Sequence, residues 1–176
     1  MLTLSLLRHA KSSWKNPALP DRERPLNARG MSDAPAMGRA MSERGIEPEL
    51  VLCSSAQRTV DTLALVLPEL KIEPEVVYED ALYQASPDDM LGMLRGLQPG
   101  ARNVLIVGHN PEIQALALGL VGAGPKDLRN RLAEKYPTGG LAVINFTAGF
   151  WSSVDAGSGS LSLFLTPRDI RGDAAS

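Results

Sequence analysis

The chain has a single cysteine, Cys53. One thiol excludes an intrachain disulfide, and its place at the end of an apolar run reads as a buried, inert side chain. There are only two histidines, and aromatic residues make up just 5 % of the sequence. A large excess of charge of one sign is also missing. The formal net charge is -2, which gives no bulk attraction for nucleic acid or an acidic membrane. No uninterrupted apolar stretch is long enough to cross a bilayer, and no basic start leads into a long apolar run. A soluble, cytoplasmic protein is expected.

What is present is a globular composition, 44 % hydrophobic with 16 Gly and 13 Pro over 176 residues. That length fits one domain, expected over residues 1–170, with a short polar tail at 171–176. Apolar runs at 2–7, 50–53, 75–78 and 103–107 read as strands. The run "VLIV" lacks alternation, as in a central strand buried on both faces. Helical patterns lie between these strands. One follows the cap residue Asn27, with Met31, Ala34, Met37, Ala40 and Met41 on its apolar face. A second carries Val60, Leu63, Ala64 and Leu67 along one face and ends at Pro68. A third starts at Pro87, and a fourth is capped by Asn110 with Pro111 as its first residue. Two more strands are expected near 141–146 and 161–166, and a solvent-facing short helix within 121–138. Alternating strands and helices imply an α/β fold, a three-layer α/β/α sandwich around a mostly parallel sheet.

In such sheets ligands gather beyond the C-terminal ends of central strands. The first strand ends in Arg8-His9. The second ends in Cys53-Ser54-Ser55, with Arg58 in the first turn of its helix. The fourth ends in Gly108-His109-Asn110. A single histidine after a strand is ordinarily a structural hydrogen-bonding residue. Two of them at equivalent strand ends, each with an arginine near, are harder to dismiss. Arginines repel a cation, and no carboxylate or thiolate stands beside either histidine, so no metal and no cofactor are expected. The same set suits a phosphoryl group, since guanidinium pairs with phosphate oxygens and neutral imidazole attacks phosphorus.

The stretches "LLRHAKSSW", "RPLNARG", "SSAQRTVDT" and "LIVGHNP", in that order, resemble the histidine phosphatase superfamily and its small SixA-like bacterial branch. The resemblance implies a phosphoglycerate mutase-like fold and a phosphatase that works through a covalent phosphohistidine. It implies His9 as nucleophile, Arg8 and Arg58 as phosphate-binding arginines, and His109 as the second histidine. Ala10 stands where the family usually has glycine, a change tolerated if the backbone there does not need positive φ. Ser12, Ser13, Lys11 and Arg24 are further candidates for the phosphate pocket. Each also has a plainer reading as a turn residue or solvated charge, and Asp21 is a possible ion-pair partner for Arg24.

The general acid is the gap. Asn110 follows His109 where some relatives carry aspartate, and the family frame puts Tyr83 or Gln84 at the other usual acid position. Glu79 and Asp80 are the candidates, a few residues early. A phosphoramidate needs less help from an acid than an alkyl phosphate, because its leaving nitrogen can arrive protonated. The favoured substrate is therefore phosphohistidine on a protein. A small phosphorylated metabolite, hydrolysed by a phosphomonoesterase of the same fold, is the alternative. A non-catalytic module that binds phosphate or phosphoproteins is another.

Overall fold

Leu2–Arg8 forms strand β1, whose Leu2, Leu4 and Leu6 face one side of the sheet and Leu7 the other, all buried. In the computed structural model, which describes the backbone of residues 1–175 and the side chains of 1–172, the remaining elements follow in order. They are α1 (Ala28–Glu43), β2 (Leu50–Ser54), α2 (Gln57–Val66), β3 (Glu75–Glu79), α3 (Pro87–Arg95), β4 (Asn103–Gly108) and α4 (Glu112–Leu120). Then come β5 (Val121–Ala123), α5 (Lys126–Glu134), β6 (Leu141–Phe146), β7 (Gly159–Leu165) and α6 (Pro167–Ala175).

The strands make one sheet in the order β3-β2-β4-β1-β6-β7-β5. Six run in one sense and β6 runs against both of its neighbours. The mostly parallel expectation holds, with one reversed strand. Alternation explains the unbroken apolar runs. Val104 and Ile106 of β4 face the core under α3, α4 and α5, while Leu105 and Val107 face the core under α1 and α2.

Several local readings change. Ala34, Met37, Ala40 and Met41 of α1 are buried as expected, but Met31 is 58 % exposed and Gly30 takes its place on the buried face. On α2, Ala64 is exposed while Thr59 and Thr62 are buried. Their hydroxyls donate to the carbonyls of Ser54 and Ala56 (Thr59) and of Arg58 (Thr62), which removes the penalty of burying them. Pro111, not Asn110, occupies the cap position of α4, although the Asn110 side chain still accepts from Gln114 N at 3.2 Å. The expected polar tail is helical as far as residue 175. Thr166 and Asp169 close a reciprocal cap around Pro167, and Arg171 bonds Asp33 at 2.8 Å. Residue 176 lies outside the described residues. Among them, no helix is long and apolar enough to cross a membrane.

Register places the strand ends together. Arg8 pairs with Gly108 across β1 and β4, Cys53 with Val107 across β2 and β4, and Leu7 with Leu141 across β1 and β6. Because β6 is antiparallel, its first residues meet the last residues of the parallel strands at one edge.

Candidate active site

The backbone of Arg8 and His9 is held on both sides as it leaves β1. His9 N donates to Gly108 O at 3.1 Å, and Arg8 N to Gly140 O at 3.0 Å. Gly139 N donates to both the Arg8 and His9 carbonyls, at 3.1 and 2.9 Å. Gly139 has φ of +74°, a conformation that suits glycine, and a Cβ there would also meet Pro167 Cγ at 2.9 Å. Ala10 is fully buried and gives its N–H to Thr62 Oγ1 at 2.9 Å. No non-glycine residue among those described has positive φ, so alanine serves here without strain.

His9 is 7 % exposed, and its Nδ1–H donates to Ala10 O at 2.7 Å. That bond fixes the tautomer and leaves Nε2 bare. Burial pushes the ring pKa down to about 3, assisted by the charges of Arg58 and Arg8 and by His109. The His9 and His109 ring centroids are 5.5 Å apart. His109 Nε2 lies 2.8 Å from Ser54 Oγ, and Ser54 Oγ already accepts from Ala56 N. Among the described residues the Ser54 hydroxyl has no other acceptor, so it gives its proton to Nε2 and the His109 hydrogen resides on Nδ1. Burial, then Arg58, pushes the His109 pKa down to about 4.

The arginines are anchored by their tips. Arg8 Nη1 donates to Tyr136 O at 2.8 Å, and the Tyr136 hydroxyl in turn donates to Leu6 O at 2.5 Å. Arg58 Nη1 donates to Asp21 O at 2.8 Å, and Nη2 to Asp21 Oδ2 at 3.0 Å. This leaves three nitrogens. Of the five buried side-chain polar atoms without a hydrogen-bond partner among the described residues, Arg8 Nε, Arg58 Nε and His109 Nδ1 are three. Buried donors of this kind are ordinarily satisfied by a protein group, an ordered water or a ligand. Arg8 adjoins His9, the His109 ring is its neighbour and both guanidinium charges act on the His9 ring, so these three nitrogens are candidates for the three non-bridging oxygens of a phosphoryl group.

Asp21 is the carboxylate that reaches this cluster. Besides Arg58 it accepts from Arg24 Nε and Nη2, at 3.1 and 2.9 Å, and from Tyr83 Oη at 2.5 Å. These bonds, Tyr83 first, hold its pKa at about 2. The Tyr83 ring stands edge-on to His109, with centroids 5.5 Å apart.

The other candidates are placed elsewhere. Arg24 is buried against Trp14, its guanidinium 3.4 Å from the ring centroid, and donates to Ser12 Oγ at 3.1 Å. Ser13 Oγ accepts from Lys15 N. These bonds hold the loop after His9 in shape. Lys11 is exposed and faces a separate cavity. Asp80 is exposed on the rim, bonded to Arg22 Nη2 at 2.6 Å and to Ser55 Oγ. Those partners lower its pKa, so it holds no proton to give at neutral pH. Glu79 closes the edge strand β3 without a side-chain bond. Cys53 is fully buried, and burial raises its thiol to about 12.

Sequence reasoning missed Asp21 as the Arg58 anchor, Ser54 as the His109 partner, and Tyr136 and Thr62 as supports. Ser54 stood at a strand end and was legible there. The others are brought in by chain folding over 37 to 128 residues.

Comparison with known proteins agrees with this geometry. A sequence model of the histidine phosphatase superfamily (branch 1) matches residues 4–95. An uncharacterised protein of Mycobacterium leprae is 36 % identical over 166 residues, covering 92 % of this chain and all of that one. Among solved structures, a candidate phosphohistidine phosphatase SixA from Agrobacterium tumefaciens superposes with TM-score 0.80 at 30 % identity, over 94 % of this chain and 98 % of the other. A second SixA candidate, from Nakamurella multipartitia, gives TM-score 0.78 at 32 % identity, over 94 and 96 %. The family model covers more than half of the chain and the relatives span nearly all of it. The chain therefore belongs to the histidine phosphatase superfamily, and is a phosphatase that works through a phosphohistidine intermediate.

Proposed function

We propose that this phosphatase removes phosphoryl groups from histidine side chains of proteins, with His9 as its nucleophile. One observation carries the reading: His9, with Nε2 bare, shares a buried cluster with Arg8, Arg58 and His109, whose Nε, Nε and Nδ1 atoms are buried and partnerless among the described residues. In the first step His9 Nε2 bonds to phosphorus while the substrate P–N bond breaks. The three donors follow the charge on the equatorial oxygens. The Nδ1–H bond to Ala10 O supports the positive charge that phosphorylated His9 acquires. Water then cleaves the new P–N bond and restores the neutral ring.

The choice of substrate follows from what the site can protonate. Asp21 and Asp80 are both held below the ordinary carboxylate range, so neither stores a proton for a leaving alkoxide. A departing imidazole that already carries a proton on its other nitrogen leaves neutral and needs none. The SixA names of the two structures above point the same way.

The test uses a histidine-phosphorylated protein domain, glycerol phosphate and p-nitrophenyl phosphate. Phosphohistidine and the aryl ester are expected to turn over, and the alkyl ester to lag by at least about 100-fold. Wild-type enzyme mixed rapidly with labelled substrate should yield an acid-labile, base-stable phosphoenzyme, absent in His9→Ala. Equal turnover of glycerol phosphate would overturn the substrate reading, and a phosphoenzyme surviving in His9→Ala would overturn the nucleophile.

A further inference from the structure

A cavity of about 480 Å³ opens between α1, α5 and α6, beside the phosphoryl site and separate from it. Six cations line it: Lys11, Arg29, Arg131, Lys135, Arg168 and Arg171. Only two carboxylates do, Asp33 and Glu134. This concentration stands on a chain whose formal net charge is -2, so the charge is local and not a property of the whole surface.

Part of the positive charge is already matched. Asp33 bonds Arg171 at 2.8 Å and lies 3.7 Å from Arg29, and Asp169 bonds Arg131 at 2.6 Å. The side chains of Lys11, Lys135 and Arg168 make no hydrogen bond or ion pair among the described residues, and all three residues are exposed. The cavity also shares a wall with the catalytic edge. Lys11 lies two residues beyond His9. Pro137 and Thr138 separate Tyr136, whose carbonyl holds Arg8, from Gly139, whose N–H holds the His9 carbonyl.

We infer that this cavity binds acidic side chains next to the phosphohistidine of the substrate protein, and so selects which phosphorylated proteins are served. The inference rests on the proposed substrate class. Three unmatched cations give complementarity to Asp and Glu, and the volume holds a few side chains rather than a whole element. None of the cations touches the three donors at His9, so the cavity adds recognition and leaves the chemistry alone.

The test compares two histidine-phosphorylated peptides of equal length, flanked by Asp and Glu in one and by Asn and Gln in the other. Wild-type enzyme should favour the acidic peptide about tenfold in kcat/KM, through KM, and the preference should shrink in 0.5 M NaCl. A Lys135→Glu, Arg168→Glu double variant should lose that preference and accept a Lys-flanked peptide better than wild type does. Its turnover of p-nitrophenyl phosphate should match wild type, which shows that the fold and the phosphoryl site are intact. A peptide carrying phosphoserine beside the phosphohistidine tests whether phosphate serves as well as carboxylate. If it is favoured while the Asp/Glu peptide is not, the anion is a second phosphate and the acidic-protein inference falls. Equal rates on acidic and neutral peptides would also overturn the inference while leaving the proposed function standing. Failure to cleave any phosphohistidine peptide would overturn the function itself.

Discussion

A half-exposed carboxylate, Asp21, holds more of the site together than its exposure suggests. Its backbone and side-chain oxygens take both terminal nitrogens of Arg58, and the same carboxylate binds Arg24 and Tyr83. Arg58 Nε points where it does because the tips of the guanidinium are fixed. Misplacing a donor by about 1 Å costs on the order of 100-fold in rate. Asp21→Ala is thus expected to lower kcat/KM for phosphohistidine about 10- to 100-fold, with Asp21→Asn recovering part of the loss. A urea midpoint within experimental error of wild type would separate positioning from folding, and unchanged kcat/KM would remove Asp21 from the site. The pairing of Asp21 with Arg24 was legible in the chain, and the structure shows it; the contacts with Arg58 and Tyr83 were not. Asp21 stood three residues before Arg24 in a charged loop, and its contact with Arg58 spans 37 residues. Arg8, His9, Arg58 and His109 were legible because parallel strands deliver their C-terminal ends to a common edge, so strand ends alone identify neighbours.

At the scale of elements, the start of α1 fits against the loop that follows His9. Asn27 N donates to Lys11 O, Asn27 Oδ1 caps Gly30 N at 2.9 Å, and Ser12 bridges to Leu26. A Cβ on Gly30 would lie 2.2 Å from Lys11 O and 3.0 Å from Lys11 N. These are backbone atoms two residues from His9, so they cannot swing aside as a side-chain end would. Gly30→Ala should therefore destabilise the protein by roughly 1–3 kcal/mol and also reduce phosphoenzyme formation. Urea unfolding and single-turnover labelling measure the two effects, and an alanine variant as stable as wild type would show that the loop yields freely. The motif "RPLNARG" is explained by this contact. Arg24 holds Asp21 and Ser12, Asn27 caps the helix, and Gly30 lets it approach. Period alone misled on α2, because buried threonines bonded to backbone carbonyls carry no apolar signal.

For the whole molecule, the two histidines set an acid limit. Their pKa values of about 3 and about 4 in the folded protein lie below the ordinary 6.5. Well above pH 6.5 both rings are neutral in the folded and unfolded chain alike and contribute nothing to pH dependence. Below it the unfolded chain takes up protons that the folded one refuses, so stability falls as pH drops towards 4 and then 3. At pH 5 the loss is roughly 2 kcal/mol for each ring. Urea unfolding at pH 7 and pH 5 should show a smaller drop in His9→Gln and in His109→Gln than in wild type. Equal drops in all three would mean that the rings titrate normally. The central place of β4 was readable from its unbroken apolar run, whereas the short strand β5 carries no such run. The reversal of β6 was not readable, because a strand's direction is set by its connections and leaves no mark in its composition. That reversed strand has a consequence for biosynthesis. Arg8, His9, Arg58 and His109 all lie within the first 109 residues, yet the carbonyl that clamps Arg8 and the amide that holds His9 come from residues 136 and 139. A nascent chain that has just exposed His109 carries every residue proposed for the chemistry and no finished pocket, and the proposed site is completed only as the ribosome releases the segment that closes β1 from its far side.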